Sequence, residues 1–258
     1  MNAIVLKFGG ASLSTPKKML KVADIIIERK KELKNIVVIV SAMGDTTDKL
    51  LKLARKIHTD PPKREQDMLI SVGERISMSL LSMALQKKGI NSISFTGSQS
   101  GIITCDNHFD AKIIDVKPFR IIDELKNNKI VIVAGFQGIS QKKEITTLGR
   151  GGSDTSAVAI ASAIEAESVD FYKDVMGIYN KDPKENKDAV FFNKLNYDES
   201  LKIITSSKHF LLHPRALELA KQNNIKLIIR SFKKNAKKFT SIENDAFKKD
   251  GKIVYEKV

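Results

Sequence analysis

Ile4-Val-Leu-Lys-Phe-Gly-Gly-Ala-Ser-Leu-Ser-Thr-Pro16 reads as an apolar strand, a loop of small residues and the first turn of a helix. Ile4 to Phe8 is apolar without alternation apart from Lys7, as expected of a strand covered on both faces. Pro16 fits a first helical turn, and Met19, Leu20, Ala23, Ile26 and Ile27 follow on one face. The unit then recurs. Ile36 to Val40 is a second apolar strand, Ser41 to Asp48 a second small-residue loop, and a helix starts at about Lys49.

Further along, Leu69, Val72, Ile76, Leu80, Leu81 and Leu85 have helical spacing in a stretch from about Glu65 to Lys88, ended by Gly89. Strands are expected at Ser92–Phe95, Ile130–Ala134, Val169–Tyr172 and Lys226–Ile229. Short elements are expected near 101–104 and 112–116, and helices at Pro118–Lys126 and Thr155–Ala166. Such alternation implies an α/β fold, a three-layer αβα sandwich around a mainly parallel sheet. Beyond Lys233 the periodicity fades into a peripheral strand or loose tail.

A chain of 258 residues can bury about three quarters of its unfolded surface. Its 42% hydrophobic and 29% charged composition excludes disordered and fibrous classes. The single cysteine, Cys105, has no intramolecular disulfide partner, which points to a reducing, cytoplasmic setting. The N-terminus lacks the basic start and cleavage site of a signal peptide. Uninterrupted apolar runs fall far short of the ~18 residues of a membrane span. The net charge of +14 raises the question of nucleic acid. Its lysines, however, are scattered (Lys30, Lys31, Lys34, Lys233, Lys234, Lys237, Lys238) without interleaved aromatics. Neither a nucleic-acid nor a membrane partner is expected, although a positive field favours anionic substrates.

Ligands of an open parallel sheet collect at the carboxyl ends of its strands, where this chain places several loops rich in Gly, Ser and Thr. Such loops suit phosphates and carboxylates, because glycine lets backbone N–H groups approach an anion. There is no Walker A sequence and no G-x-G-x-x-G after a strand, which disfavours P-loop and Rossmann sites.

The segments Lys7-Phe-Gly-Gly-Ala-Ser12, Ser41-Ala-Met-Gly-Asp-Thr-Thr-Asp48, Ser71-Val-Gly-Glu-Arg75, Phe95-Thr-Gly-Ser-Gln-Ser-Gly-Ile-Ile-Thr104, Ala134-Gly-Phe-Gln-Gly138 and Thr146-Thr-Leu-Gly-Arg-Gly-Gly-Ser-Asp154 occur in this order. Together they resemble the amino-acid kinase superfamily and, within it, the aspartate kinases, from Lys7 to about Arg230. The resemblance implies transfer of the γ-phosphoryl of ATP, with Mg2+, to the β-carboxylate of L-aspartate, feeding lysine, threonine, methionine and diaminopimelate synthesis. A carboxylate is ionised at neutral pH, so such an enzyme needs alignment and cationic groups rather than a general base.

By resemblance, Lys7 contacts the transferring group, Gly9, Gly10 and Ser12 support the phosphates, and Asp154 orients the catalytic lysines. Arg150 holds the substrate α-carboxylate and Glu74 its α-ammonium, with Ser41, Thr47 and Ser153 as accessory donors. Tyr172-Lys-Asp-Val-Met-Gly-Ile-Tyr-Asn-Lys-Asp-Pro-Lys184 resembles the nucleotide segment, giving Lys173, Asp174, Tyr179, Asp182 and Lys184 as adenosine and phosphate contacts.

The chain departs from the family at Ala11 and Lys173, where threonine is usual, and at Lys184, where arginine is. Alignment on His213-Pro214-Arg215 puts Phe210 at the place of a phosphate-binding lysine, and Lys208 is the candidate replacement. The chain is expected to be a single kinase domain, 1–258. An amino-acid lobe (about 1–150), a nucleotide lobe (about 151–232) and a tail (233–258) are expected within it. ACT domains, and therefore feedback by lysine or threonine, are not expected. A homodimer is compatible with the sequence. Two other readings stay open: a related kinase with another carboxylate or carbamate acceptor, and a non-catalytic basic binding protein.

Overall fold

The computed structural model describes residues 2–181, 183, 185–186, 188–206, 211–233, 238–244 and 253–257. Its strands are β1 (Ala3–Phe8), β2 (Asn35–Val40), β3 (Ser92–Phe95), β4 (Ile102–Thr104), β5 (Ile113–Val116), β6 (Ile130–Ala134), β7 (Gln137–Ser140), β8 (Ile145–Thr147), β9 (Ser168–Lys173), β10 (Ile178–Tyr179), β11 (Phe191–Phe192), β12 (Lys194–Leu195), β13 (Lys226–Ser231) and β14 (Phe239–Ile242). The helices are α1 (Gly10–Leu13), α2 (Pro16–Glu32), α3 (Thr46–Ile57), α4 (Lys63–Ile70), α5 (Val72–Lys87), α6 (Phe119–Lys126), α7 (Gly152–Ala163), α8 (Tyr197–Thr205) and α9 (Pro214–Asn223).

Eight strands form one sheet in the order β12-β14-β13-β9-β1-β2-β6-β3, parallel throughout except for the antiparallel β13–β14 pair. A second sheet, β5-β4-β7-β8, and a β10–β11 hairpin stand beside it. Successive strand residues face opposite layers. Val5, Val37, Ile39, Val133, Val169 and Phe171 pack with α6, α7, α8 and α9, whereas Leu6, Phe8, Val38, Val40 and Ile132 pack with α2 and α5. Each such fully buried side chain stabilises by about 1.5–3 kcal/mol, and both faces contribute, so the three-layer expectation holds.

Local chemistry sets the ends of the elements. The Thr15 side chain accepts from the Lys18 N–H at 3.3 Å, Pro16 opens α2, and Arg29, Lys30 and Lys31 lie in its negative last turn. The stretch expected as one helix from about Glu65 forms α4 and α5, meeting at Ser71. By length and composition (mean hydropathy 1.4) the segment Lys63–Lys87 is able to cross a membrane. More than half of its most apolar 18-residue window is buried, however, and α5 packs on α2, β2, β3 and β6, as a core helix does.

α7 starts three residues before the expected Thr155, because Gly151, at φ +73°, turns the chain directly into it. Beyond Lys233, β14 enters the main sheet between β12 and β13. α8 and α9 were not anticipated, although both carry start signals. Asn196 and Glu199 form a reciprocal capping box, and His213 precedes Pro214 at the first position of α9.

Candidate active site

Register brings the ends of four parallel strands together. Phe8 lies opposite Val40 and Tyr172, and Val40 opposite Ala134. The residues that follow, Gly9, Ser41, Gly135 and Lys173, therefore emerge along one edge. The loops are tied to one another there: Ser41 N–H donates to Phe8 O at 3.1 Å, Gly135 N–H to Val40 O at 3.0 Å, and Gly44 N–H to Gly10 O at 3.1 Å. Gly10 permits this approach, since a Cβ there would stand 2.7 Å from the Ala42 carbonyl oxygen.

Lys7 follows Val5 in the strand alternation and so faces the α7 layer, where Asp154 occupies the first turn of α7. Its Nζ lies 2.5 Å from Asp154 Oδ1 in a nearly sealed site, with side chains 6% and 8% exposed. Lys173 follows Phe171 onto the same face, and its Nζ lies 3.5 Å from Asp154 Oδ2. One carboxylate thus holds two ammonium groups from adjacent strands.

Burial alone would raise the Asp154 pKa, but Lys173 and Lys7 outweigh it and hold the carboxyl at about 2. Burial pushes the Lys173 ammonium below the usual lysine range, and Lys7 adds to this against the pull of Asp154. Glu74, in the first turn of α5, is 3% exposed. Its Oε1 accepts from the Ala42 N–H at 2.9 Å, and its Oε2 meets no partner. Burial raises its pKa to about 7 against the opposing effects of that N–H and of Lys7. The site therefore presents two cations, one firmly ionised carboxylate and one carboxyl poised to ionise beside a positive ligand.

The remaining candidates fall into three groups. Gly9 borders the Lys7 ammonium, with a Cβ position 3.7 Å from Nζ. Ser12 is buried and donates to Gly9 O at 2.7 Å, closing the loop from inside. Ser153 is buried against Gly135, and Ser41 and Thr47 are half-buried after β2 and in the first turn of α3. Arg150 is exposed on the loop before α7 and makes no hydrogen bond or ion pair with the described residues. Asp174 is exposed just after Lys173. Tyr179 packs edge-on to Phe191 at 5.1 Å on the hairpin. Asp182, Lys184 and Lys208 lie outside the described residues.

Two residues at the site carry no role in the sequence reading. His213 walls the Gly151 turn, and its backbone N–H favours the ionised form of Asp154. Arg215 donates to Leu148 O at 2.6 Å and pairs with Glu256 at 2.7 Å, bracing the loop that carries Arg150. Their signal in sequence is the His-Pro-Arg run at the start of α9. A separate cavity of about 910 Å³, bordered by Ile103, Ile139, Lys117 and Tyr255, contains none of the candidates. Among the described residues no three His, Cys, Asp or Glu side chains gather as a metal cage.

Residues 2–231 match the amino acid kinase family. The chain is 49% identical over 231 residues to an aspartokinase of Bacillus sp. (strain MGA3), covering 90% of this chain and 56% of that protein. It is 47% identical over 232 residues to an aspartokinase of Mycolicibacterium smegmatis, covering 90% and 55%. It therefore spans a little over half the length of these relatives. The crystal structure of aspartate kinase from Synechocystis superposes with a TM-score of 0.85 at 38% identity, covering 99% of this chain and 42% of that one.

Proposed function

The chain belongs to the amino acid kinase family, and from that premise we propose that it phosphorylates the β-carboxylate of L-aspartate with MgATP, giving 4-phospho-L-aspartate and ADP. The observation that carries this reading is the fork of Lys7 and Lys173 on Asp154 at the carboxyl edge of β1 and β9. A carboxylate oxygen attacks the γ-phosphorus as the bond to the ADP oxygen breaks, and the charge spread over the equatorial oxygens needs fixed cations. The names of the 47–49% identical relatives support aspartate as acceptor.

In this reading Lys7 contacts the transferring group, and Gly9, Gly10 and the loop closed by Ser12 receive the phosphates. Asp154 keeps the ammonium groups in place. Arg150 clamps the α-carboxylate, and Ser41, Thr47 and Ser153 supply hydroxyls. Glu74 meets the α-ammonium, which supplies the positive partner its free Oε2 lacks. Lys173, Asp174, Tyr179, Asp182, Lys184 and Lys208 serve the nucleotide. Magnesium enters with ATP, held by phosphate oxygens and water.

Residues to about 150 serve the amino acid, 151–232 the nucleotide, and 233–258 form a peripheral tail. The protein acts in the cytoplasm. A homodimer is proposed on the exposed apolar stripe Met68, Val72, Ile76, Leu80 and Met83, which recurs along one side of α4 and α5. Light scattering that gives a monomer mass at micromolar concentration would remove the dimer.

Hydroxylamine traps acyl phosphates, so the deciding experiment is hydroxamate formation from aspartate and ATP, run beside Lys7→Ala. The expected result is an aspartate-dependent product that disappears in the variant. Product from another amino acid, and none from aspartate, overturns the acceptor.

A further inference from the structure

We propose that Lys173 is a second catalytic cation, its ammonium joining that of Lys7 on the transferring phosphoryl group in place of the lysine that position 210 lacks. This rests on the kinase reading above and assigns Lys173 a part in the reaction beyond nucleotide binding.

The argument begins with strand geometry. β1 and β9 are parallel neighbours, with Lys7 opposite Phe171 and Phe8 opposite Tyr172. Lys173 therefore stands one step beyond the last residue that pairs with β1, on the face that Lys7 uses. Both ammonium groups converge on Asp154, at 2.5 Å and 3.5 Å, one on each oxygen.

A structural ion pair needs one cation for one carboxylate. A second ammonium, 17% exposed at the mouth of the strand edge, leaves the trio with a net positive charge beside Gly9. The charges facing Lys173 are Asp154, Lys7 and Asp174, and its own neighbour Phe171 offers a ring face 5.8 Å away. Holding two like charges in a desolvated place is unfavourable until an anion arrives. A polyphosphate removes that repulsion, so the bound and transferring states gain most from the arrangement.

The substitution fits the rest of the chain. Where the resembling family has threonine the chain has Lys173, and where the family has its phosphate lysine the chain has Phe210. One lysine is missing from the sequence pattern at position 210, and another, Lys173, stands beside Asp154. Lys173 extends from the end of a fully paired strand, so its backbone is fixed and the ammonium is preorganised.

The test compares wild type, Lys173→Met and Lys208→Ala in two assays, calorimetric binding of magnesium AMP-PNP and turnover in the hydroxamate assay. Lys173→Met is expected to lower kcat on the order of 10²–10³-fold, the scale of a lost preorganised charge contact, with KM for aspartate within about twofold. Affinity for the analogue should fall about tenfold or more. Converting Lys173→Cys with 2-bromoethylamine rebuilds an ammonium of nearly the same reach and should restore turnover at least about tenfold. The same treatment of Lys173→Met controls for Cys105 and should restore nothing.

Wild-type values of both kcat and analogue affinity in Lys173→Met would overturn the assignment, as would a larger loss in Lys208→Ala. Wild type that binds the analogue yet makes no aspartyl hydroxamate counts against the proposed acceptor alone. The binding comparison then still decides for or against Lys173.

Discussion

Gly151 turns the chain into α7 with its Cα packed directly against the imidazole of His213, so that a Cβ on residue 151 would overlap the ring. The contact joins the starts of two helices, since His213 caps α9 and the Gly151 carbonyl accepts the Asp154 N–H at 2.9 Å. The position of the Asp154 carboxylate is therefore fixed through a glycine whose φ of +73° and missing side chain are both required.

Gly151→Ala is accordingly expected to destabilise the fold by about 2–4 kcal/mol, combining the left-handed penalty with overpacking against the ring. The variant should also lose turnover, because a shift of α7 that relieves the clash moves Asp154 with it. Urea unfolding read beside the hydroxamate assay checks both effects. An unchanged midpoint would mean that His213 swings aside at no cost.

Asp154→Asn removes the carboxylate that, among the described residues, the two ammonium groups share. Breaking a buried pair in this way costs about 3–5 kcal/mol, because the remaining charge has lost its compensation. The pH signature has a definite sign. With a folded pKa of about 2, below that of an unfolded aspartate, Asp154 stabilises fully above about pH 4 and less as pH falls toward 2. Acid unfolding of the asparagine variant should therefore be flatter than wild type across that window, a comparison that circular dichroism can make.

The depth to which this site was legible follows from the reach of each signal. Lys7 interrupts an apolar strand next to two glycines, a local pattern that marks both the strand and the loop. Lys173 was legible only as a nucleotide contact. Its meeting with Asp154 depends on β9 pairing with β1 in one register, and periodicity within β9 carries no information about its neighbour. Glu74 was legible only through the resemblance, because its link to Ala42 joins segments 32 residues apart. α8 and α9, nine and ten residues long, span too few turns for a clear apolar period, so their caps are their main signal in the sequence. Asn196 with Glu199, and His213 with Pro214, were sufficient signals.

Arg150→Lys tests the proposed amino-acid end of the site. Arg150 is exposed and pairs with none of the described residues, so the substitution should change stability by less than about 0.5 kcal/mol. A lysine keeps the charge but cannot reproduce two parallel N–H bonds to a carboxylate. The expected outcome is a rise in KM for aspartate of about 10–100-fold, the range for a lost charge-assisted pair, with ATP affinity unchanged. A variant with wild-type KM would place the α-carboxylate elsewhere.

Glu74 gives the site a pH dependence of opposite sign to that of Asp154. Its folded pKa of about 7 exceeds the unfolded value of about 4.3, so the folded state binds the extra proton between those pH values. Stability from this group is complete below about pH 4 and declines as pH rises through 7. Glu74→Gln should abolish that slope. Substrate binding runs the other way, because an α-ammonium is favoured by the ionised carboxylate and the proton must leave first. kcat/KM for aspartate is therefore expected to rise with pH up to about 7 and then level off, while the glutamine variant shows weaker binding and no such rise. A glutamine variant that keeps the wild-type pH profile would remove Glu74 from the ammonium site and leave its buried Oε2 without a role.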